Sequence, residues 1–297
     1  MIQQYREEEN MNDYVIFTDT GCDILPDILD EWNVKLIDLL FRDTATDQIY
    51  TQRDMPTDVF YQKMKEGASF RTSAANMEDF SNAFVPYLEK GTDILYVGFT
   101  SGQSGTVNTA AIVARELEEQ YPERKVTVID TLCSSAGLGL MVYFAKERRD
   151  AGDSMDEVEA YIRERIPYLC HWFTVDDLQY LARSGRCSKA AAFMGSVLNI
   201  KPILHVDEEG KIVPLYKVRG RKKSITTVAE GYAELAQDPE GTFFICNSDC
   251  REDAKMLDDL IFQKTGVRAK IITDIGPVIG SHCGPGTLAV FFVSKKR

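Results

Sequence analysis

The chain has 297 residues, 44% of them hydrophobic and 27% charged, and carries a formal net charge of −12. That is enough apolar material for a sizeable core in one large or two ordinary domains, and the acidic balance excludes a whole-protein basic footprint for nucleic acid. No apolar run approaches the roughly 18–20 residues that cross a bilayer, and seven cysteines without a secretory signal place the chain in the reducing cytoplasm.

The polar, acidic start MIQQYREEENMN reads as a frayed leader. After it, short apolar runs alternate with amphipathic stretches, which predicts an α/β chain. Strands are expected at 14–18 and 34–41, a helix at 76–89, a strand at 94–99, a helix at 107–120, a strand at 126–129 and a helix at 134–149. The recurring strand, loop and helix predict a parallel sheet with helices on both faces, a three-layer N-terminal domain. A helix at 155–165 ends it, so the domains are expected at 13–165 and 166–297. In the second, KPILHVDEEGKIVPLYKV reads as an antiparallel hairpin turning at Asp207–Gly210. Helices at 224–236 and 251–264 and strands at 242–246, 269–274 and 288–294 follow, which makes a two-layer α+β half with a mixed sheet and a ligand cleft between the domains.

Three strand-to-helix turns share glycines and hydroxyls: TDTGCD (18–23), GFTSGQSGT (98–106) and DTLCSSAGLG (130–139). In an open parallel sheet such turns lie at the carboxyl ends of the strands, where ligands bind. Small residues admit a ligand to the backbone, and hydroxyls with the N–H groups of a helix start hold an anion. Each turn taken alone reads equally as a helix N-cap; the three together point to a site. No lysine follows Gly105, so the P-loop spacing fails, and G-x-G-x-x-G is absent. A carboxylate needs fewer donors than a nucleotide phosphate, and one or two hydroxyls with a histidine or arginine satisfy it.

Among the three histidines, His282 in GPVIGSHCGPGTLAVFF stands in a Gly/Pro frame that positions a side chain, whereas His171 and His205 sit in strand-like runs and read as packing residues. In DDLQYLARSGRCSKA a short helix stops at Gly185, and Arg186 follows, placed either to reach into a cleft or to pair at the surface. Cys246 and Cys250 are four apart, but no partner ligands stand near them, so no metal is expected. No cofactor motif and no nucleophile–base pair is visible, so no catalysis is assigned.

These residues resemble the DegV family of bacterial fatty-acid-binding proteins, which look like the carrier subunits of fatty acid kinase. VIFTDTGCDIL is similar to the family's T-D-S-x-x-D-L opening, RTSAAN (71–76) to its T-S-Q-P loop, and SGQSGT (101–106) to its S-x-L-S-G-T turn. VIDTLCSSAGLG, the long FTVDDLQYLARSGRCSKAAAFMGSVLNIKPIL and IGSHCGPGTLAVFF resemble its remaining signatures in order. The departures are Ala74-Ala75 for Gln-Pro, Gln103 for an apolar residue and Ser184 for the first glycine of Gly-Gly-Arg. The resemblance implies two α/β domains with an acyl chain buried between them. It implies that Thr72 and Ser104 contact the carboxylate directly and that His282 and Arg186 complete the polar network. Ser73 of the loop and Ser101, Gly105 and Thr106 of the turn belong to the same site.

Such a ligand makes physical sense. Each buried methylene contributes about 0.8 kcal/mol, so a sixteen-carbon tail supplies on the order of 10 kcal/mol gross, less the ordering cost. The buried head group must then be paired, with Arg186 or a protonated His282 balancing its charge. The resemblance also implies a separate ATP-dependent kinase that makes acyl phosphate from the presented carboxylate. The basic run Lys217–Lys223 reads either as a solvated hairpin edge and helix start or as a docking patch, with Arg219 and Arg221 as its contacts, for that kinase or for transient contact with an anionic membrane. The alternatives are a ligand-sensing regulatory protein for another small anionic lipid or carboxylate, and a phosphotransferase domain, which the missing P-loop argues against.

Overall fold

A computed structural model of the chain describes residues 14–187, 190, 199–238 and 241–295. The acidic leader, and residues 188–189 and 191–198 of the long central signature, lie outside the described residues. In the first half, β1 (Tyr14–Asp19), β2 (Val34–Ile37), β6 (Asp93–Gly98) and β7 (Val126–Asp130) form an all-parallel sheet in the order β2-β1-β6-β7. Ile16 of β1 sits opposite Val34 on one side and Leu95 on the other. Every residue of β1 is buried, as a central parallel strand requires.

Alternation along β1 divides the core. Val15 and Phe17 face α2 (Thr57–Lys65), α3 (Met77–Leu88) and α4 (Thr106–Gln120). Tyr14 and Ile16 face α5 (Ala136–Asp150) and α6 (Met155–Arg165). Local chemistry sets the helix starts: Asn76 with Asp79, and Ser154 with Glu157, form reciprocal capping boxes.

The second half carries a six-stranded mixed sheet. Its strands are β8 (Leu169–Thr174), β9 (Ile200–Val206), β10 (Ile212–Arg219), β11 (Phe243–Asn247), β12 (Ile271–Asp274) and β13 (Leu288–Val293), ordered β10-β9-β8-β13-β11-β12. Only β11 and β12 run parallel. One face packs on α8 (Arg221–Leu235) and α9 (Arg251–Thr265). The other face, through Phe173, Leu204, Ala289 and Phe291, shares a core with α5. That helix therefore has a sheet on either side, which is why AGLGLMV lacks a polar stripe. A Cβ at Gly137 would collide with the His171 imidazole and the Phe291 ring, so glycine lets helix and sheet approach.

The expected single strand at 34–41 is two. The chain leaves the parallel sheet after Ile37, and β3 (Leu40–Asp43) joins β4 (Ile49–Tyr50) and β5 (Phe70–Ser73) in a separate antiparallel sheet, order β4-β3-β5. The continuous apolar run hides the break, because Ile37, Leu39 and Phe41 are all buried on either side of it. Leu39 N–H donates to Thr20 Oγ1 at 2.9 Å and fixes the bend.

The two halves are stitched by buried polar groups. Asp23 accepts from Ser135 Oγ at 2.5 Å and from the Gly276 N–H at 2.9 Å, while its own carbonyl accepts from Thr273 Oγ1 at 2.9 Å. Burial pushes its carboxyl up to about 8, above the ordinary 3.8. The folded protein thus keeps a proton that the unfolded chain releases, so this group's contribution to stability falls as pH rises from about 4 to about 8. Asp23→Asn is expected to flatten the stability profile over that window by up to about 1.4 kcal/mol per pH unit. Urea unfolding across the window checks it, and an unchanged slope would show that Asp23 does not hold the proton.

Candidate functional site

A cavity of about 280 Å³ lies between the sheets. Its walls are mostly apolar and come from both halves: Leu39 and Phe99 from the first, and Phe173, Val206, Ile275 and Phe291 from the second. Thr72, Ser73, Ser104, Gly105, Arg186 and His282 also line it.

Different elements deliver these side chains. Thr72 stands in β5, an edge strand of the small sheet. His282 is in the last turn of α10 (Pro277–Cys283), a helix that begins where Gly276 is tied to Asp23. Thr72 Oγ1 and His282 Nε2 lie 2.8 Å apart, a hydrogen bond spanning 210 positions of sequence. Arg186 follows the left-handed C-cap Gly185 (φ 73°) of α7 (Gln179–Ser184), so the expected helix stop turns the arginine to the cavity; one guanidinium nitrogen donates to Ser184 O at 2.7 Å. Ser104 sits in the β6–α4 turn, and its hydroxyl is 2.9 Å from Thr106 Oγ1.

Two residues of the turn stand back from the cavity. Thr106 is buried at the start of α4 and anchors Ser104 by that hydroxyl pair and by its N–H, 3.3 Å from Ser104 Oγ. Ser101 is exposed, and its N–H donates to Asp130 at 3.2 Å. The turn 18–23 likewise does not line the cavity. Its carboxyls face inward and brace the other two turns: Asp19 accepts from Tyr96 OH at 2.5 Å and from the Phe99 N–H at 3.0 Å, and Asp23 takes Ser135.

Several lining groups escaped the sequence reading. His171 is buried in β8 on the same face as Leu169 and Phe173, accepts from the Ser134 N–H at 3.0 Å and lines the cavity. The period-two alternation of that strand was the available signal. Ser135, at the mouth of α5, holds a left-handed φ of 54° that serine adopts only under constraint, and Asp23 supplies it. Gln103, where the family pattern has an apolar residue, donates to Gly210 O at 3.0 Å. It clasps the tip of the β9–β10 hairpin onto the β6–α4 turn. Cys246 lies in β11 and lines the cavity, while Cys250 caps α9, so the two do not share a helical face. Among the described residues no cluster of His, Cys, Asp and Glu could hold a metal ion.

The electrostatics favour Arg186 over His282 as the resident cation. Burial, and then the nearby Arg186 charge, push His282 down to about 4. In the ligand-free site the imidazole is neutral near pH 7, and Arg186 is the cation of the cluster. The basic run is also divided. Arg219 is exposed, whereas Arg221 is half-buried and its Nε donates to Asp253 at 2.8 Å. An NMR titration is expected to find His282 neutral down to about pH 4, with Arg186→Gln moving its midpoint upward. A midpoint at the ordinary histidine value in the wild type would remove the desolvated environment assigned to it.

The comparisons with known proteins agree with this architecture. A family model described as an uncharacterised protein of the DegV family matches residues 13–295. A DegV domain-containing protein of Clostridium perfringens is 39% identical over 289 residues, covering 97% of this chain and 99% of its own. A DegV family protein from Thermus thermophilus, described by its fatty acid binding, superposes with a TM-score of 0.85 at 28% identity, covering 96% of this chain and all of that one (100%). DegV of Bacillus subtilis, described as a fatty acid binding protein, gives a TM-score of 0.80 at 27% identity over 96% of this chain and 100% of its own. With its parallel and mixed sheets enclosing one largely apolar cavity, the chain belongs to the DegV family.

Proposed function

We propose that the protein binds a long-chain fatty acid between its two sheets, with no catalysis of its own. The observation that carries this reading is the polarity of one cavity, apolar along walls drawn from both sheets and gathering Thr72, Ser104, Arg186 and His282 along its lining. An acyl tail fits the first environment and a carboxylate the second. Ser73 and Gly105 line the same cavity, and Thr106 steadies Ser104 from behind. Fatty acid binding by the Thermus and Bacillus relatives supports the ligand class. Arg186 supplies the countercharge; Thr72 is polarised by its hydrogen bond to the neutral His282. The folding units are taken as 13–165 and 166–297, and the compartment as the cytoplasm. Among the described residues no helix is long and apolar enough to cross a membrane.

The same reading has the carrier present its carboxylate to a separate ATP-dependent kinase for acyl-phosphate formation. The support is a surface: β10 is an edge strand with Leu215 and Tyr216 exposed, next to exposed Arg219. Brief contact with an anionic membrane during lipid exchange would use that same face. Arg221, tied to Asp253, braces this corner rather than reaching outward.

Mass spectrometry of the organic extract of freshly purified protein is expected to find a near-stoichiometric C14–C20 fatty acid. An empty extract, with no binding of added oleate or palmitate, would favour sensing of another small anion. Thr72→Ala with Ser104→Ala removes two hydrogen bonds to a charged group, each worth about 1.5–3 kcal/mol. The pair is expected to weaken fatty acid binding on the order of a hundredfold or more while the protein still folds; unchanged affinity in a calorimetric titration would refute the assignment. Arg219→Glu is expected to slow acyl-phosphate formation severalfold at low salt and spare lipid binding. Arg221→Glu should also lower thermal stability, because it strands Asp253; equal loss of lipid binding and kinase coupling in Arg219→Glu would count against docking there.

A further inference from the structure

Besides the groups assigned to the carboxylate, the cavity wall carries a second polar stretch that a plain acyl chain leaves unsatisfied. Gln103, Ser134 and His171 line the cavity and come from the β6–α4 turn, the β7–α5 turn and β8. They form one chain of contacts. Gln103 Nε2 donates to Ser134 Oγ at 3.5 Å, and the Ser134 N–H donates to His171 Nε2 at 3.0 Å. Ser134 is only 7% exposed. Its hydroxyl oxygen takes that one long bond, and among the described residues its proton has no acceptor. Gln103 is incomplete in the complementary way. Its amide nitrogen donates to Gly210 O at 3.0 Å, which sets the orientation of the amide, because two carbonyl oxygens do not face each other. Its Oε1 accepts from no group among the described residues. The wall thus holds one unused O–H donor and one unused carbonyl acceptor on neighbouring side chains. A methylene answers neither, and a buried polar group left unpaired is costly. A hydroxyl answers both: its oxygen accepts from Ser134 and its proton goes to Gln103.

We propose that Gln103 and Ser134 form a hydroxyl subsite, so that the ligand of this chain is a hydroxy fatty acid with its hydroxyl close to the carboxylate. The inference rests on the fatty-acid reading of the cavity. The position of the hydroxyl follows from the turn: Gln103 directly precedes Ser104, which is assigned to the carboxylate, and consecutive Cα atoms are about 3.8 Å apart. The oxygen therefore belongs on carbon 2 or 3 and not midway along the tail. Phe173, Val206 and Phe291 leave the remainder of the tail an apolar wall. Gln103 stands where the family pattern has an apolar residue, so the subsite is a departure of this chain from that pattern. A site built to hydrogen-bond a substrate hydroxyl discriminates against the analogue that lacks it, because its own buried groups are then left without partners.

Calorimetry on the wild type compares each hydroxy acid with its unsubstituted parent: 2- and 3-hydroxypalmitate with palmitate, and 12-hydroxystearate with stearate. One of the two hydroxypalmitates is expected to bind at least about tenfold more tightly than palmitate, and 12-hydroxystearate no more tightly than stearate. Ser134→Ala gives a readout that general damage to the cavity would not: palmitate should bind more tightly, because a buried donor without a partner is gone, while the hydroxypalmitate binds more weakly. The preference should then fall to within about twofold. Gln103→Leu, confirmed as folded by circular dichroism, removes the acceptor independently and should also abolish the preference. No preference in the wild type, an equal gain for 12-hydroxystearate, a preference that survives both variants, or parallel losses for both ligands would overturn the proposal. Tight palmitate binding without any hydroxyl preference would leave the fatty-acid reading standing, whereas failure of every acid to bind the wild type would sink that reading and the subsite with it.

Discussion

The buried carboxyl of Asp23 is the constraint on which the cavity depends. A carboxyl removed from water must be satisfied by hydrogen bonds or hold its proton, and here the partners come from both halves of the chain. Ser135 reaches it from the turn before α5, and the N–H of Gly276 reaches it from the start of α10. The first bond holds Ser135 in a left-handed conformation at the floor of the cavity. The second fixes the entry of the helix that brings His282 to Thr72, six residues and nearly two turns later. Because Thr273 also donates to the Asp23 carbonyl, the end of β12 is tied to the same point. A cavity wall assembled from distant segments keeps its shape when such ties are few, buried and fully satisfied.

Burial acts on the site's ionisable groups in one direction: it disfavours their charged forms. Asp19 and Asp23 are pushed up and His282 is pushed down, each chiefly by desolvation. What remains at the polar end of the cavity is one guanidinium, that of Arg186, among neutral donors. An incoming anion therefore meets an uncompensated positive charge in a place of low dielectric, where the attraction is much stronger than at a wetted surface. The neutral imidazole still contributes by orienting the Thr72 hydroxyl. The histidine marked by its Gly/Pro frame is thus a hydrogen-bonding partner, and the arginine behind a helix-ending glycine is the charge.

Local rules account for much of the framework. Parallel strands announced themselves by buried runs between amphipathic helices, and the hairpin by its turn. The helix starts expected at 76 and 155 fall within a residue of the observed ones, where Asn76 and Ser154 form capping boxes. Glycine and hydroxyl composition marked the β6–α4 and β7–α5 turns as cavity walls, and the Gly185 stop marked Arg186. The same composition misled at residues 18–23, because acidic side chains in a small-residue turn look alike whether they face a ligand or brace their neighbours. Similarly, Val34 to Phe41 is apolar throughout, and an unbroken apolar run does not record where a strand leaves its sheet.

Sequence alone determined the class of fold, the order of most of its elements and the family motifs, since periodicity and turn chemistry act over a few residues. Tertiary structure decided which of those residues meet. Thr72 and His282 are 210 positions apart and come within 2.8 Å only because β5 and α10 are packed and pinned independently. His171 becomes a cavity residue, and Gln103 a clasp, only once α5 is pressed between the sheets and the hairpin tip reaches the turn. Even the protonation of His282 follows from burial, which is a property of everything packed around a residue and of nothing in its immediate sequence.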